Sequence, residues 1–443
     1  MSGDLDEGGG QASSRRAVLL VANAAAPYSR GLRVARSLAA AGWAVEIAAV
    51  ADDSTAIEER DGPILVRRYR PSGRWARFTH GRLVPQRRGL RGRITAGLDT
   101  LVKVVAWPVR VRGWWSTLER ELPAAELYHA FGILAIPIAL RLAERDRHAG
   151  HRSVVVYDVI DVILESNNMD RLPRPVVSAY RWRERRWVRA ADAVVTVNDP
   201  IADHLATTWP VGMRPTVLLN CQPAWVSPQP RPDLIRAATG IPRERRIVLF
   251  LGRLGRERGL DEAAEAVLAV EDAALVLIGF GPWAVRLRGR DRDPRYVGRH
   301  FTLPAVHPDE VPAWTASADA SIIAVPANSL NQRLSTPNKF WESLTAGTPV
   351  VVGRELDVMR AIVEREGLGA VADPDDPADL ARALRALLDD AVGIAATRER
   401  CLTITRERYN WETAVKPYLD LVAQLTADSS PAGVGTGPAR LHP

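Results

Sequence analysis

Short runs of apolar residues alternate with segments of helical spacing in the first half of the chain. The apolar runs are AVLLVAN, AVEIAAV, AELYHAFG, SVVVYDVID, DAVVTVN and PTVLLN, and GLRVARSLAAAGW is typical of the helical segments between them. Continuous runs of Val, Ile and Leu separated by amphipathic helices indicate a parallel sheet that is covered on both faces. The first half is therefore predicted to form an α/β domain.

The alternation stops at the proline-rich stretch NCQPAWVSPQPRPD, residues 220–233, which has the composition of a linker. It resumes with RIVLFLG, DEAAEAVLAV, ALVLIGFG, RYVG, ASIIAV, TPVVV and LGAVAD, and a last helical stretch, NWETAVKPYLDLVAQL, follows. We therefore predict two doubly wound, Rossmann-like α/β domains that face a cleft. The ligand site is expected in this cleft, because the switch points of such sheets are the usual ligand sites.

The predicted organisation has six parts. These are a disordered N-terminus (1–15), an N-terminal domain (16–215), a linker (216–236), a C-terminal domain (237–405), a C-terminal helix (406–426) and a disordered tail (427–443). The polar, Gly/Ser-rich start lacks the pattern of a signal peptide, and the longest apolar runs are about half the length that a bilayer span requires. We therefore expect neither a leader nor a membrane-spanning helix.

Composition and charge narrow the class of protein. Hydrophobic residues make up 47% of the 443 residues and charged residues 25%, which is typical of soluble globular proteins. Cys221 and Cys401 are the only cysteines, so a disulfide framework is excluded and a reducing, cytoplasmic compartment is expected. The net charge of +7 favours anionic partners such as nucleotides, phosphorylated lipids or a membrane surface. No recognisable nucleic-acid module accompanies the basic segments.

The first candidate for chemistry is the loop in FLGRLGRERGLDEAAEAV, residues 250–267. It contains three glycines and three arginines: Gly252, Gly255, Gly259, Arg253, Arg256 and Arg258. Glycines allow the backbone to approach a ligand closely, and clustered guanidinium groups suit phosphate oxygens. The loop lacks the GK[ST] and GxGxxG patterns, and a solvated basic turn explains it equally well. A similar alternative, a tight strand-to-helix turn, applies to Gly279 and Gly281 in LVLIGFGP.

The second candidate is STPNKFWESLTAGTPVVV, residues 335–352. Ser335 or Thr336 is predicted to cap a helix that begins at Pro337. A lysine in the first turn, Lys339, is unfavourable unless an anion binds there. Glu342 can accept hydrogen bonds from both hydroxyls of a ribose. The pair therefore predicts a nucleoside diphosphate site, the alternative being a surface helix with a weak i, i+3 ion pair.

Together these motifs resemble the donor domain of GT-B nucleotide-sugar glycosyltransferases, specifically glycosyltransferase family 4, also called glycosyl transferases group 1. That family has a GR…KG loop, a GxGP turn, a V.F.G strand, and E-x7-E followed by A.A.GxPVV. This chain has GRLGRERG, GFGP, RYVG and FWESLTAGTPVVV in the same order. The N-terminal half matches more generally, through LAAAGWAVEIAAV, LYHAFG and ADAVVTVN. The resemblance implies a C-terminal helix that crosses back to the first domain.

The resemblance also implies roles for individual residues. Arg253 and Arg258 are implied to hold the diphosphate and His129 to face the donor sugar, which makes these three the candidate catalytic residues. The candidate substrate-binding residues are Gly31, Asp161, Gly252, Gly279, Gly281, Gly298, Arg299, Asn331, Ser335, Asn338, Lys339 and Glu342. Among them, Gly298 and Arg299 are implied to meet the nucleobase through their backbone. The implied reaction retains anomeric configuration and uses neither a metal nor another cofactor. The leaving phosphate is implied to help deprotonate the acceptor on the same face of the sugar, while the protein stabilises the charge that grows on the diphosphate.

Several positions depart from the family pattern or have a second explanation. The first glutamate of E-x7-E falls at Leu334, so one sugar contact is missing or comes from Asn331 or Ser335. The loop NAAAPYSRG lacks the usual paired glycines and leaves Gly31 alone in that role. His129 is equally well explained as a satisfied core histidine. Asp158 and Asp161 are placed at a strand end facing the cleft, where Asp161 contacts an acceptor or caps a loop. DPDD at 373–376 is explained better by a turn and helix cap than by a metal site.

Basic and tryptophan-bearing segments are found on the acceptor side. Residues 67–93 contain ten arginines and no acid, and the apolar ITAGLDTLVKVVAWPVRVRGWW, which includes Trp107, Trp114 and Trp115, follows. SAYRWRERRWVRA is a second such segment. These features suit an anionic membrane surface and a lipid-linked acceptor, the alternative being a basic surface whose tryptophans pack in the core.

The sequence thus predicts a hexosyltransferase-type enzyme that moves a sugar from a nucleoside-diphosphate sugar to a glycan or lipid-linked acceptor. Two other hypotheses stay open. One is a nucleotide-sugar 2-epimerase of the same fold, which would release a free sugar epimer. The other is a nucleotide-binding partner subunit without turnover, to which the missing glutamate and glycines give weight.

Overall fold

The computed structural model describes residues 15–26, 28–53, 55–72, 107–167, 169, 172–209 and 212–427. These residues form two mainly parallel sheets with helices packed on them. This arrangement confirms the predicted pair of α/β domains. Most of the arginine-rich segment and the apolar residues 94–106 lie outside the described residues, as do the two predicted disordered ends up to residue 14 and from residue 428.

The first sheet contains eight strands in the order β3-β4-β2-β1-β5-β6-β7-β8. Their bounds are β1 Arg16–Val21, β2 Ala44–Val50, β3 Glu58–Asp61, β4 Ile64–Tyr69, β5 Leu127–Phe131, β6 Val154–Val159, β7 Ala193–Thr196 and β8 Thr216–Val217. All neighbouring strands are parallel except β3 and β4. The central strands are buried on both faces, whereas the polar β3 (EERD) forms an exposed edge that disfavours pairing with another chain.

Helices cover both faces of this sheet. Their bounds are α1 Ser29–Ala40, α2 Trp107–Glu121, α3 Ile136–His148, α4 Arg174–Ala190 and α5 Asp199–Thr208. Consecutive residues of β1 point to opposite faces, so Val18 and Leu20 pack in one core cluster and Leu19 and Val21 in the other. The continuous apolar run of β1 is therefore explained by burial on two sides.

The second sheet contains six parallel strands in the order β11-β10-β9-β12-β13-β14. Their bounds are β9 Arg246–Arg253, β10 Ala273–Phe280, β11 His300–Leu303, β12 Ala320–Ile323, β13 Val350–Gly353 and β14 Gly369–Ala372. The helices are α6 Leu234–Thr239, α7 Leu260–Leu268, α8 Ala284–Arg290, α9 Val311–Ala316, α10 Leu330–Leu334, α11 Asn338–Thr345, α12 Asp357–Glu366, α13 Pro377–Leu388 and α14 Ala391–Glu407. The strand order reverses between β9 and β12, which places the switch point at the carboxyl end of β9.

Two short helices, α15 (Trp411–Ala414) and α16 (Lys416–Ala427), end the described chain. Trp411, Tyr418 and Val422 pack in the core of the first sheet, and the indole N–H of Trp411 donates to Ser37 Oγ at 2.9 Å. The C-terminal helix therefore crosses back to the first domain, as predicted. The predicted single helix over 406–426 is interrupted because Asn410 caps α15 by accepting a hydrogen bond from the Thr413 amide.

Other local predictions need correction. The segment RYVG, residues 295–298, was predicted as a strand but forms a turn, and the strand begins only at His300. Strand β8 pairs with β7, so the first sheet extends two residues into the predicted linker. Trp114 on α2 is fully buried and its indole N–H donates to the Ala49 carbonyl at 3.1 Å, so it packs in the core rather than facing a membrane. Within the described ranges, no helix is long and apolar enough to cross a bilayer.

Candidate active site

A cavity lies at the carboxyl ends of β9 and β10, where α1 of the first domain faces α11 of the second. Most of the residues that line it form a charged set and an apolar set. The charged set is Arg253, Arg258, Lys339 and Glu342. The apolar set is Leu251, Ile278, Phe280, Ala305, Val306, Pro308 and Val311, and the remaining lining residues are Ser29, Gly252, Gly279, Pro337 and Asn338. One cavity thus has a charged part and an apolar part.

Close backbone packing shapes the floor of this cavity. A Cβ atom at Gly279 would lie 1.8 Å from the Gly252 carbonyl oxygen, and one at Gly281 would lie 2.3 Å from the Leu254 carbonyl oxygen. Gly281 also has φ +148°, a backbone conformation that residues other than glycine rarely adopt. These glycines let the ends of β9 and β10 meet backbone to backbone.

Lys339 lies in the first turn of α11 with its ammonium group buried. Its Nζ has no hydrogen-bond partner among the described residues and lies 3.7 Å from the centroid of the Phe250 ring. Burial and the nearby Arg258 lower the pKa of Lys339 to about 7, although Glu342 opposes the shift. A buried polar group without a partner is costly, so the free protein is not at its stability optimum here.

The helix that carries Lys339 begins differently from the prediction. Pro337 is the N-cap residue, and no side chain caps the first turn, so the predicted capping by Ser335 or Thr336 is wrong. Ser335 Oγ instead donates to the Gln332 carbonyl at 3.0 Å, at the end of α10. The amides at the start of α11 consequently have no side-chain cap and can donate hydrogen bonds to an anion.

Glu342 lies one turn after Lys339 and lines the same cavity. Burial raises the pKa of Glu342 to about 7, while Arg33 and Lys339 act in the opposite direction. The shift places this carboxyl near its midpoint at neutral pH. A ligand that brings hydrogen-bond donors to it would favour the ionised form.

Arg253 and Arg258 lie on either side of Glu257 in the loop after β9. The guanidinium Nε atoms of Arg253 and Arg258 lie 3.7 Å and 3.5 Å from Glu257 Oε1. Arg258 Nε is buried and makes no hydrogen bond. One half-exposed carboxylate thus stands beside two arginines, and Lys339 adds a third positive group. The charged part of the cavity carries an excess of positive charge.

A polar cavity adjoins this one, and side-chain amides cross it from one domain to the other. Asn331 Oδ1 accepts from the Val162 amide at 2.7 Å, and Asn331 Nδ2 donates to Asp161 Oδ1 at 3.2 Å. Asn338 Nδ2 donates to Ser29 Oγ at 3.1 Å, and its Oδ1 accepts from Asn220 at 2.7 Å. Other residues that line it include Ser166, Asn167, Ser329, Gln332, Ser335 and Glu257. Amide and hydroxyl groups of this kind suit a hydroxyl-rich ligand.

Comparisons with known proteins agree with this geometry. Residues 245–390 match the family model described as glycosyl transferases group 1. A 2-deoxystreptamine glucosyltransferase of Streptomyces kanamyceticus is 24% identical over 381 residues, which cover 82% of this chain and 90% of the relative. The chain has the GT-B fold, and its residues 245–390 form a group 1 glycosyltransferase domain.

Other similar proteins cover less of the sequence or share the fold alone. A GDP-mannose-dependent alpha-(1-6)-phosphatidylinositol monomannoside mannosyltransferase of Mycobacterium tuberculosis is 30% identical over 190 residues, 41% of this chain and 46% of the relative. Sucrose-phosphate synthase of Thermosynechococcus elongatus superposes with a TM-score of 0.66 at 17% identity, covering 94% of this chain and 100% of that chain. HepE of Anabaena, solved with UDP and glucose, superposes at 0.63 and 13% identity over 93% and 100%.

In this glycosyltransferase His129 is fully buried behind the cleft. Its Nδ1 lies 2.9 Å from the Tyr418 hydroxyl and its Nε2 lies 3.1 Å from Asp158 Oδ2. Burial lowers the pKa of His129, although Asp158 opposes the shift. Both ring nitrogens are bonded within the protein, so contact with a sugar would require one of these bonds to be replaced.

Asp158 is also buried and does not face the cleft as predicted. Arg30 forms a bidentate ion pair with it at 2.8 and 3.0 Å. Burial alone would raise the pKa of Asp158, but the Arg30 charge and the His129 hydrogen bond hold it below its usual value. Asp161, by contrast, is exposed at the end of β6 and lines the polar cavity.

Two further predictions are displaced from the cavity of the glycosyltransferase. Gly31 lies inside α1, where a Cβ atom would meet the Tyr28 ring at 2.4 Å, so it permits ring packing. Gly298 and Arg299 precede β11, at the amino end of that strand, and the Arg299 guanidinium donates to the Ala273 carbonyl at 2.5 Å. The predicted nucleobase contact there is wrong, because a parallel sheet opens its ligand site at the carboxyl ends. The residues that follow β11 line the cavity instead.

Ser29 and Phe280 are among the cavity residues that the sequence did not single out. Phe280 occupies the variable position of GFGP, and the residue is 64% exposed. An aromatic residue between two glycines at a strand end was the available signal. Its exposure depends on the tertiary structure and could not be derived from that pattern.

Proposed function

We propose that this glycosyltransferase takes its sugar from a nucleoside-diphosphate sugar, retains the anomeric configuration and needs no metal ion. The observation that carries the proposal is the buried ammonium of Lys339, which has no partner among the described residues and lies beside Arg258 in the cavity. A diphosphate supplies the anion that this arrangement lacks. Glu342, one turn further along α11, is then available for the ribose hydroxyls.

The positive groups also explain how transfer would be assisted. Negative charge grows on the leaving diphosphate as the bond to the sugar breaks, and fixed positive groups stabilise that charge without reorganising. Arg253, Arg258 and Lys339 can supply this stabilisation.

The contacts of two carboxylates near the cavity support the proposed retention. Asp161 is bonded to Asn331, and Glu257 is paired with the two arginines. The proposal therefore assigns the acceptor proton to the leaving phosphate, with the acceptor hydroxyl on the same face of the sugar.

The polar cavity favours an acceptor rich in hydroxyl groups. A free glycan and a lipid-linked glycan both offer this chemistry. Two of the similar proteins are glycosyltransferases named for 2-deoxystreptamine and for D-inositol 3-phosphate.

On α4, Trp182 is 62% exposed among exposed arginines, which supports contact with an anionic membrane. Binding to vesicles with and without anionic lipid, and its loss on Trp182→Ser, would test the lipid-linked form.

Nucleoside diphosphates are expected to stabilise the protein through Glu342. Thermal midpoints measured with UDP, GDP, ADP, TDP and CMP should rise with one diphosphate, because selective binding stabilises the folded state. Glu342→Gln, which keeps the shape of the side chain, should weaken that nucleotide roughly 10- to 100-fold by removing a charged acceptor. A 2′,3′-dideoxy analogue should bind both proteins alike.

Equal weakening of the ribonucleotide and its dideoxy analogue would refute the ribose assignment. The absence of any response in the wild type would count against the proposed donor and favour a partner subunit without turnover. Product analysis separates transfer from epimerisation, since only an epimerase releases a free sugar epimer.

Arg258→Ala is expected to weaken nucleoside diphosphates by roughly 10- to 100-fold while leaving the parent nucleoside almost unchanged. The physical reason is the loss of a charge-assisted contact with phosphate. Titration of the diphosphate and the nucleoside against wild type and variant provides the measurement. Arg256→Ala is a matched control from the same loop, because Arg256 does not line the cavity. Similar losses for both ligands would contradict a diphosphate role.

A further inference from the structure

We propose that Phe280 stacks on the nucleobase of the donor and supplies most of the affinity for the base. This inference rests on the proposed nucleotide-sugar donor and adds to it a residue that selects for a flat aromatic group. It is carried by the exposure of the ring, by the way the backbone fixes it, and by the apolar part of the cavity around it.

The ring is exposed at the end of a strand that is otherwise buried. Phe280 ends β10, whose preceding seven residues are all buried, yet 64% of Phe280 is exposed. Exposed apolar residues scattered singly are common, but an exposed aromatic ring inside a ligand cavity marks a contact surface. The free protein leaves this ring available to a ligand.

The backbone holds Phe280 in a fixed place. Its carbonyl accepts a hydrogen bond from the Leu254 amide at 2.7 Å. Gly279 packs against Gly252 at the end of β9 and Gly281 against Leu254 in the loop that follows, so tightly that neither tolerates a Cβ atom. The ring is therefore presented from a rigid strand end, which reduces the entropy that a stacking contact would cost.

The neighbours of Phe280 complete an apolar slot. Ile278, Val306 and Val311 line the same part of the cavity, together with Ala305 and Pro308. The side chains of this set carry no hydrogen-bonding group, so they cannot read the edge of a base. They can enclose its faces, and an aromatic ring gains from offset stacking beyond simple burial.

The two parts of the cavity match the two ends of a nucleoside diphosphate. The cationic groups suit the diphosphate, Glu342 suits the ribose, and the apolar slot with Phe280 suits the base. Stacking of a base on an aromatic side chain contributes about 1–3 kcal/mol and tolerates every base, which corresponds to about 5- to 150-fold in affinity.

The test compares Phe280→Ala, Phe280→Leu and Phe280→Trp with wild type, using the full chain, the best-bound nucleoside diphosphate and inorganic pyrophosphate. Phe280→Ala is expected to weaken the nucleoside diphosphate about 5- to 150-fold and leave pyrophosphate unchanged. Phe280→Leu should also weaken it, because it keeps apolar area but loses the π face. Phe280→Trp should bind like wild type, and its extra fluorescence should be quenched by the nucleotide. Val285→Ala is the control, since Val285 is 76% exposed on α8 and lies outside the cavity.

The outcomes separate this inference from the donor proposal. If wild type binds the nucleoside diphosphate and Phe280→Ala binds it equally well, stacking is overturned while the donor proposal stands. If Phe280→Ala weakens pyrophosphate as much as the nucleotide, the ring supports the fold and does not contact the base. If wild type binds pyrophosphate but gains nothing from a nucleoside, both the donor proposal and this inference fail.

Discussion

Lys339→Met is expected to make the free glycosyltransferase more stable and to remove most of its response to nucleoside diphosphates. Methionine keeps an unbranched chain against the Phe250 ring, and it removes an ammonium group that is buried without a hydrogen bond. Replacing buried charge with apolar side chains often stabilises a protein, here by about 1–3 kcal/mol. The same change removes a charged phosphate contact, which corresponds to roughly 10- to 100-fold in affinity.

The stability gain should depend on pH in a defined direction. Burial lowers the pKa of Lys339 from 10.5 to about 7. Carrying the charge therefore costs folding free energy below pH 7, and this cost is relieved as the pH rises from 7 towards 10.5. The advantage of Lys339→Met over wild type should be largest at pH 7 and below and should shrink at higher pH. Wild-type affinity for the diphosphate should fall above pH 7, because the amine must then take up a proton.

Urea or thermal unfolding across this pH range, with and without the nucleotide, measures both effects. Lys416→Met is the matched control, since Lys416 is an exposed lysine on α16 and should show neither effect. A variant that loses stability yet keeps its response to nucleotide would show that Lys339 is a structural residue and not part of a phosphate site.

Asp158→Ala is expected to lower the free energy of unfolding by about 3–5 kcal/mol in the absence of any ligand, because a buried ion pair is broken. The substitution leaves the Arg30 guanidinium buried without its carboxylate, since the Arg30 and Asp158 side chains are only 3% and 0% exposed. It also removes the hydrogen bond to His129 Nε2. The free energy of unfolding from urea titration gives the measurement.

An exposed pair supplies the comparison for Asp158. Asp199 pairs with Arg214 on the surface with 69% of its side chain exposed, so Asp199→Ala should change the stability by less than about 1 kcal/mol. Similar losses at both positions would show that burial does not strengthen the Arg30 pair. Asp158→Asn should fall between the two, because the amide keeps one hydrogen bond and loses the charge.

The fold could be predicted from the sequence because its signal is local and repeated. Most strands of the two sheets are short apolar runs between helical segments, and burial on both faces of a parallel sheet requires that composition. The polar edge strand β3 (EERD) lacks this signal and was not predicted. The loop with Arg253 and Arg258 and the helix with Lys339 and Glu342 were also visible, because each lies within one short stretch.

The errors arose where a contact joins distant parts of the chain. Asp158 was expected to face the cleft and His129 had two equal explanations, but Arg30 and Tyr418 form hydrogen bonds with them from positions far along the chain. The strand after GFGP was placed a few residues too early, at RYVG, and this moved the nucleobase contact to the wrong edge of the sheet. Short apolar runs fix the start of a strand poorly, so the edge strand of the sheet was the least secure element.

The return of α15 and α16 decides how this enzyme can be recombined with its relatives. Trp411 and Tyr418 complete the core of the first domain, although they follow the whole second sheet in the chain. A chimera joined once, in the linker, would therefore place a foreign C-terminal segment in the native core. A functional exchange of the donor half needs a second junction between α14 and α15, near Arg408, so that residues 410–427 stay with the domain they complete.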